Sequence, residues 1–228
     1  MRLFRLATAF FLAAGIGAAH AGGINDLTGS EATSGLKEAL VKGADYAVSS
    51  LGKENGFLGN KKVKIPLPDS LKTVEKGMKA IGMGKQADEL VATMNHAAEK
   101  AVVQAKPILL DAVKQMSVDD AKGILTGGED SVTKFFKKST SDQLVEKFMP
   151  IVKEATRKVK LADKYNKFAG QGAKLGLVDK EDADLDTYVT HKAMDGLFLM
   201  IAEKEKEIRK NPVGAGSDLL KKVFGSLG

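Results

Sequence analysis

The stretch QADELVATMNHAAEKAVVQAK, residues 86–106, decides the fold class of this chain. Its apolar and small residues recur every three or four positions, as on one face of an amphipathic helix. That face consists of Leu90, Met94, Ala97, Ala98, Ala101 and Ala105. Because most of these side chains are small, a second helix can approach closely. Asn95 and Glu99 lie one turn apart at the margin of the face, whereas His96 falls on the opposite side, where we expect it to be solvated and not a ligand.

The same periodicity continues along residues 22–228 and predicts an all-α protein. Further helices are predicted at 34–51, 71–81, 107–116, 117–127, 130–138, 141–158, 161–174, 183–210 and 217–224. Pro150 is expected to kink or split the helix that contains it, because proline removes a backbone donor and its ring clashes with the preceding turn. No alternating strand pattern competes. We therefore predict a single domain, residues 22–228, folded as a multi-helix bundle of about eight to ten helices.

One long connector interrupts the helical pattern. Residues 52–68 contain three glycines and two prolines. Within them, Val63-Lys64-Ile65-Pro66-Leu67-Pro68 is expected to be extended, because each proline disfavours the helical region for the residue before it. We expect this segment to be ordered and to cross the bundle.

The first 21 residues have the pattern of a secretory signal peptide. Arg2 and Arg5 supply positive charge, residues 6–19 form an apolar run of 14 residues, and Ala19-His20-Ala21 is a small-x-small cleavage site. The run is shorter than the roughly 20 residues that a membrane-spanning helix needs. We predict cleavage after Ala21, export, and no transmembrane segment in the mature chain.

Composition excludes several classes of chemistry. The chain has no cysteine and only three histidines, so thiol catalysis, thiolate zinc sites and iron–sulfur clusters are ruled out. Its net charge of +6 comes from cations scattered along the whole chain, without the basic block of a nucleic-acid-binding arm. We expect no nucleic-acid partner.

Two motifs resemble cofactor sites but lack the required context. The glycines of residues 82–87 fit a dinucleotide loop, yet a helix precedes them instead of a strand. Asp182, Asp184 and Asp186 resemble the start of a calcium loop, but Thr187 stands at the glycine position and Ala193 at the closing glutamate position. We therefore predict neither a metal nor a cofactor.

A second polar set lies on the predicted helix 183–210. Residues 193–202 are apolar except for Asp195, which predicts a buried helix that carries one carboxylate. Tyr188 and Lys192 project to the same side as Asp195, and His191 lies four residues before it. A buried carboxylate needs a partner, so this cluster is either an internal ion pair or hydrogen bond that fixes helix packing, or a site for a ligand or reaction.

Several segments of the mature chain resemble the bacterial domain of unknown function 4197 family. They are Gly56-Phe57, residues 65–68, 94–99, 116–121, 123–127 and 188–198, together with Asn211-Pro212 and residues 217–224. The chain departs from the family pattern at Ala215-Gly216, where arginine and threonine are expected. The resemblance implies a helical, exported bacterial protein, and hence the Gram-negative periplasm. It implies no activity.

Three hypotheses about function follow. The first is a non-catalytic protein that binds a hydrophobic or amphiphilic small molecule or lipid, or a partner protein of the envelope, in a groove between helices. Its candidate site residues are Asn95, Glu99, Tyr188, His191, Lys192 and Asp195. The second is a hydrolase or lyase with Glu99 and Asp195 as acid and base and His191 as helper, which requires these residues to converge on one pocket. The third is a structural adaptor with a large exposed apolar patch.

Overall fold

The computed structural model describes residues 29–69, 84–175 and 183–211, and these ranges contain seven α-helices. They are α1 (Gly29–Leu51), α2 (Gly84–Val102), α3 (Ala105–Gln115), α4 (Val118–Thr126), α5 (Ser131–Thr156), α6 (Lys160–Lys174) and α7 (Leu185–Lys210). No strand occurs in the described ranges. The all-α prediction is therefore confirmed.

The described part of the chain holds fewer helices than the eight to ten that were predicted. Residues 130–138 and 141–158 were expected to form two helices, but α5 runs through both without a break. Pro150 lies inside α5 on its exposed side. A backbone carbonyl that loses its partner there is able to bond to water, which explains why the helix continues. The helices predicted at 71–81 and 217–224, and the signal peptide, lie outside the described residues.

Local sequence signals account for several of the observed helix ends. Ser117 and Asp120 form a capping box at the start of α4, with the Asp120 N–H donating to Ser117 Oγ at 3.0 Å. Hydrogen bonds from the Ser117 side chain and backbone hold the pKa of Asp120 below its ordinary value. Pro107 falls in the first turn of α3, where its missing N–H costs nothing. A short break at residues 103–104 separates α2 from α3.

The long helices pack against one another around the core. Helix α5 packs against α7 and α2, and α1 packs against α7 and α3. The small-residue face predicted for 86–106 is buried as expected, with Ala98 and Ala101 fully inaccessible. The largest fully buried side chains include Phe57, Phe136 and Phe148. Of these, Phe57 belongs to the connector, so the connector contributes to the core.

The connector after α1 lies against the bundle as an ordered, extended segment. Residues 64–68 have no helical structure, and the side chains of Val63, Ile65 and Leu67 are buried while Lys64 and Pro66 are exposed. This alternation is that of extended chain, in which successive side chains point to opposite sides. The inner side chains join the core and the outer ones face solvent.

Candidate functional site

Asn95 on α2 holds the backbone of the connector. Its Oδ1 accepts the Ile65 N–H at 2.8 Å, and its Nδ2 donates to the Ile65 carbonyl at 2.9 Å and to the Val91 carbonyl at 2.8 Å. The side chain is fully buried. The amide thereby satisfies a backbone N–H and a backbone C=O that no helix or sheet pairs with.

Glu99, one turn further along α2, holds the start of the same connector. Its Oε1 accepts the backbone N–H groups of Phe57 at 3.0 Å and Leu58 at 3.1 Å. Its Oε2 lies 2.7 Å from His96 Nδ1. The Glu99 side chain is 6% exposed and that of His96 is 42% exposed. His96 is partly exposed to solvent, as expected, but it does not lie on the side of α2 opposite Glu99, because an i,i+3 pair on a helix is close enough for side-chain contact.

The outer side of the connector forms one wall of an open cleft, which we call the connector cleft. It has a volume of about 400 Å³ and lies between residues 62–66 and α7. Tyr188, Lys192, Asp195, Gly196 and Leu199 line it from α7. The Tyr188 hydroxyl donates to the Pro66 carbonyl at 3.1 Å and joins the two walls.

The charged groups of the connector cleft differ in how they are paired. Lys62 forms a salt bridge with Glu203 at 2.6 Å. Lys192 lies 3.9 Å from the Asp195 carboxylate and 5.7 Å from the centre of the Tyr188 ring, so its contacts are weak. Lys64 makes no ion pair or side-chain hydrogen bond with the residues that the structure describes. Lys64 is therefore the cleft lysine without an ion pair among the described residues, whereas Lys192 has Asp195 as its counter-ion and Asp69 adds a second carboxylate to the lining.

Asp195 is not buried, which corrects the expectation that it is the buried carboxylate of its helix. Its side chain is 65% exposed. Lys192, Asp195 and Leu199 are spaced by three and four residues and form the solvent-facing stripe of α7. The apolar residues around Asp195 suggested a helix buried on all sides, but Leu199 in this run is itself 40% exposed.

The structure divides the six predicted site residues into separate groups. Asn95 and Glu99 contact the inner side of the connector, whereas Tyr188, Lys192 and Asp195 line the cleft on its outer side. His191 is half-buried and lines neither the connector cleft nor the second cleft described below. Neither of these two clefts is lined by Glu99, His191 and Asp195 together.

A second open cleft lies beside His96 and Glu99. Its volume is about 410 Å³, and its lining residues are Gly52, Lys53, Glu54, His96, Glu99 and Lys100. We call it the His96 cleft. It places the exposed imidazole and the buried carboxylate next to two lysines.

Two carboxylates of α7, Asp186 and Glu205, are buried, and neither was predicted to be buried from the sequence. Glu205 accepts the backbone N–H groups of Val132 at 3.1 Å and Thr133 at 3.3 Å, and it forms a salt bridge with Arg209 at 3.1 Å. It thus stabilises the N-terminus of α5, where the helix dipole favours negative charge. Asp186 accepts a hydrogen bond from the Thr156 hydroxyl. Asp186, which belongs to the acidic segment that resembles the start of a calcium loop, is buried.

Lys64 and Leu199 in the connector cleft were also missed. The alternation of apolar and polar residues from Val63 to Leu67 already indicates that Lys64 points away from the core. That alternation was the available signal. Nothing in the sequence indicates which helix lies opposite Lys64.

The described ranges contain neither a metal-binding cluster nor a membrane-spanning helix. No group of three or more histidine, aspartate or glutamate side chains is arranged to hold a metal ion there. No helix there is long and apolar enough to cross a membrane.

Comparison with known proteins identifies the family. The family model described as protein of unknown function (DUF4197) matches residues 26–225. The chain belongs to this family. No curated protein and no solved structure matches the DUF4197 chain. The description of the family names no activity.

Proposed function

We propose that this DUF4197 protein is an exported, periplasmic protein that binds an anionic amphiphile in the connector cleft. One observation carries the proposal: ammonium groups from both walls lie in the same cleft as an exposed leucine, and that of Lys64 has no ion-pair partner among the described residues. Lys64 comes from the connector, and Lys192 and Leu199 come from α7. Such a combination suits a ligand with a negatively charged head and an apolar chain.

The size and the chemistry of the cleft support this class of ligand. Small-molecule sites typically have volumes of about 300–1,000 Å³, and the connector cleft, at about 400 Å³, lies within that range. An ammonium group that gains a carboxylate or phosphate partner forms a charge-assisted hydrogen bond, which is stronger than a neutral one. Leu199 is 40% exposed, and covering it with an alkyl chain removes apolar surface from water.

Two features make the cleft suitable for binding without a large rearrangement. Asn95 fixes the connector wall through the backbone of Ile65, and the Tyr188 hydroxyl joins that wall to α7. A wall that is already fixed loses little conformational entropy when a ligand binds.

The experiment measures binding of dodecanoate by displacement of a dansyl-labelled undecanoic acid from the purified protein, which has no tryptophan to interfere. We expect saturable binding of the fatty acid and weak binding of dodecyltrimethylammonium, which has the same chain but a cationic head. The double variant Lys64→Gln, Lys192→Gln should bind about tenfold or more weakly, since a loss of about 1.4 kcal/mol is a factor of ten.

Matched variants control for general effects of charge and apolarity. Lys61→Gln removes an exposed connector lysine that does not line the cleft, and Leu175→Ser changes an exposed leucine elsewhere. Both should bind like the parent, whereas Leu199→Ser should weaken binding. Equal affinity for the anionic and cationic probes, or unchanged binding by the double lysine variant, would refute the proposal.

A further inference from the structure

We propose that His96 and Glu99 form a general-base dyad that activates water for hydrolysis of a small ester with an anionic group. The site is the His96 cleft, which is distinct from the connector cleft. The proposal does not depend on amphiphile binding.

The geometry on the Glu99 side is that of a carboxylate that orients an imidazole. Two backbone N–H groups, from Phe57 and Leu58, fix Oε1, and Oε2 lies 2.7 Å from His96 Nδ1. An ionised carboxylate only accepts hydrogen bonds, so we assign to His96 the tautomer in which Nδ1 carries the proton. The lone pair of the neutral imidazole is then on Nε2, the nitrogen that acts as base in hydrolases with an oriented histidine.

The opposite edge of the ring is accessible. His96 is 42% exposed and lines a cleft of about 410 Å³. Among the residues that the structure describes, Glu99 is the hydrogen-bond partner of the His96 ring, through Nδ1. Nε2 is therefore available to a water molecule in the cleft.

The charges around the cleft indicate the class of substrate. Lys53 and Lys100 line it, and neither forms an ion pair within the described ranges. The exposed carboxylate of Glu54 lies at the same cleft. Glu99 already interacts with His96, so the remaining charged groups of the cleft are Lys53, Glu54 and Lys100. Together these three side chains carry a net positive charge. Ammonium groups next to the base favour an anionic substrate and stabilise negative charge that develops on a carbonyl oxygen.

The reaction consumes water and needs no other reactant. His96 Nε2 takes a proton from a water molecule while the water oxygen forms a bond to the ester carbonyl carbon, whose electron pair moves to the carbonyl oxygen. The resulting oxyanion collapses, and the bond from carbon to the leaving oxygen breaks. The imidazolium returns its proton to that oxygen. The products are a carboxylic acid and an alcohol, and Glu99 acts as a positioning residue throughout.

The test compares hydrolysis of 4-acetoxybenzoate with that of its neutral methyl ester by the purified chain. We expect the parent protein to hydrolyse the anionic ester faster than the neutral one. His96→Asn is the decisive variant, because its amide nitrogen occupies the position of Nδ1 and keeps the contact with Glu99 while Nε2 is removed. We expect at least a tenfold loss of rate with an unchanged melting temperature. His191→Asn, which alters the half-buried histidine on α7, is the matched control and should retain the rate.

Two further variants separate positioning from folding. Glu99→Gln keeps an oxygen for the Phe57 and Leu58 N–H groups but loses the acceptor for Nδ1, so kcat should fall while KM stays the same. Lys100→Gln should reduce the preference for the anionic ester. An independent readout is diethyl pyrocarbonate, which should modify His96 faster than His191. Absence of hydrolysis by the parent, or a full rate in His96→Asn, overturns the dyad. The lysine variants of the connector cleft should hydrolyse normally, which keeps the two proposals separable.

Discussion

Asp186 is a carboxylate whose surroundings disfavour its charged form. Burial raises its pKa, and the nearby carboxylates of Asp184 and Asp163 act in the same direction. The Thr156 hydroxyl and Lys153 oppose this effect without cancelling it. The folded protein therefore holds the Asp186 proton to a higher pH than the unfolded chain does.

We predict that this difference makes stability depend on pH. Below the ordinary pKa of 3.8 both states are protonated and the contribution is fully present. As pH rises through that value toward the raised pKa, the unfolded chain releases its proton first and stability is lost. Urea denaturation should therefore show the free energy of unfolding of the parent falling relative to Asp186→Asn across this window. A flat difference between the parent and Asp186→Asn would contradict the prediction, and Asp195→Asn, at an exposed aspartate of the same helix, is the matched control.

Helix α7 packs closely against the connector at Gly196. A Cβ atom at Gly196 would lie 2.6 Å from Phe57 Cε1 and 3.3 Å from Val63 Cβ. Phe57 is fully buried, so a shift of its ring would disturb the packing of the core. Gly43 on α1 is the opposite case, because a Cβ there would meet no atom within 4 Å.

We therefore predict opposite effects of alanine at the two glycines. Gly43→Ala should raise the free energy of unfolding by about 1 kcal/mol, since glycine is that much less favourable than alanine inside a helix. Gly196→Ala should lower it, because overpacking typically costs about 1–3 kcal/mol and exceeds the gain in helix propensity. Chemical denaturation of both variants provides the measurement. A Gly196→Ala protein more stable than the parent would show that the connector adjusts.

The helices could be predicted from sequence because their apolar residues repeat with a regular period, and this holds for α2 with its face of alanines. The continuity of α5 could not, because it depends on Pro150 being exposed, and exposure is a property of the packed bundle. The same reason explains the error at Asp195. The sequence of α7 shows many apolar residues around it, but which stripe faces solvent depends on where α1, α2 and α5 pack.

The candidate site was predicted in its parts but not in its arrangement. Asn95 and Glu99 were selected as polar residues at the edge of a packing face, and both contact the connector. Tyr188, Lys192 and Asp195 were expected on one side of a helix, and they line one cleft. The connector lies between these two groups. This arrangement depends on long-range contacts, such as that between Tyr188 and Pro66, which are more than 100 residues apart, and no local sequence pattern predicts such contacts.

We propose that the first 21 residues direct export of the protein. We predict that the exported form begins at Gly22, because Ala19-His20-Ala21 directly follows the apolar run. The intact mass of protein recovered from the periplasm should equal that of residues 22–228. A species that retains Met1 in the inner membrane would contradict both the cleavage and the periplasmic assignment.

The contact between Asn95 and Ile65 has a consequence for how this family is able to diversify. Asn95 pairs with the main chain of the connector, and any residue type except proline offers the same N–H and C=O at that position. The outward residues Lys64 and Pro66 are not part of that attachment. Exchange of the outward side chain at position 64 is therefore expected to change the proposed ligand preference of the cleft while the attachment of its wall stays intact. The anchoring contact and the proposed ligand contact lie on opposite sides of one short segment.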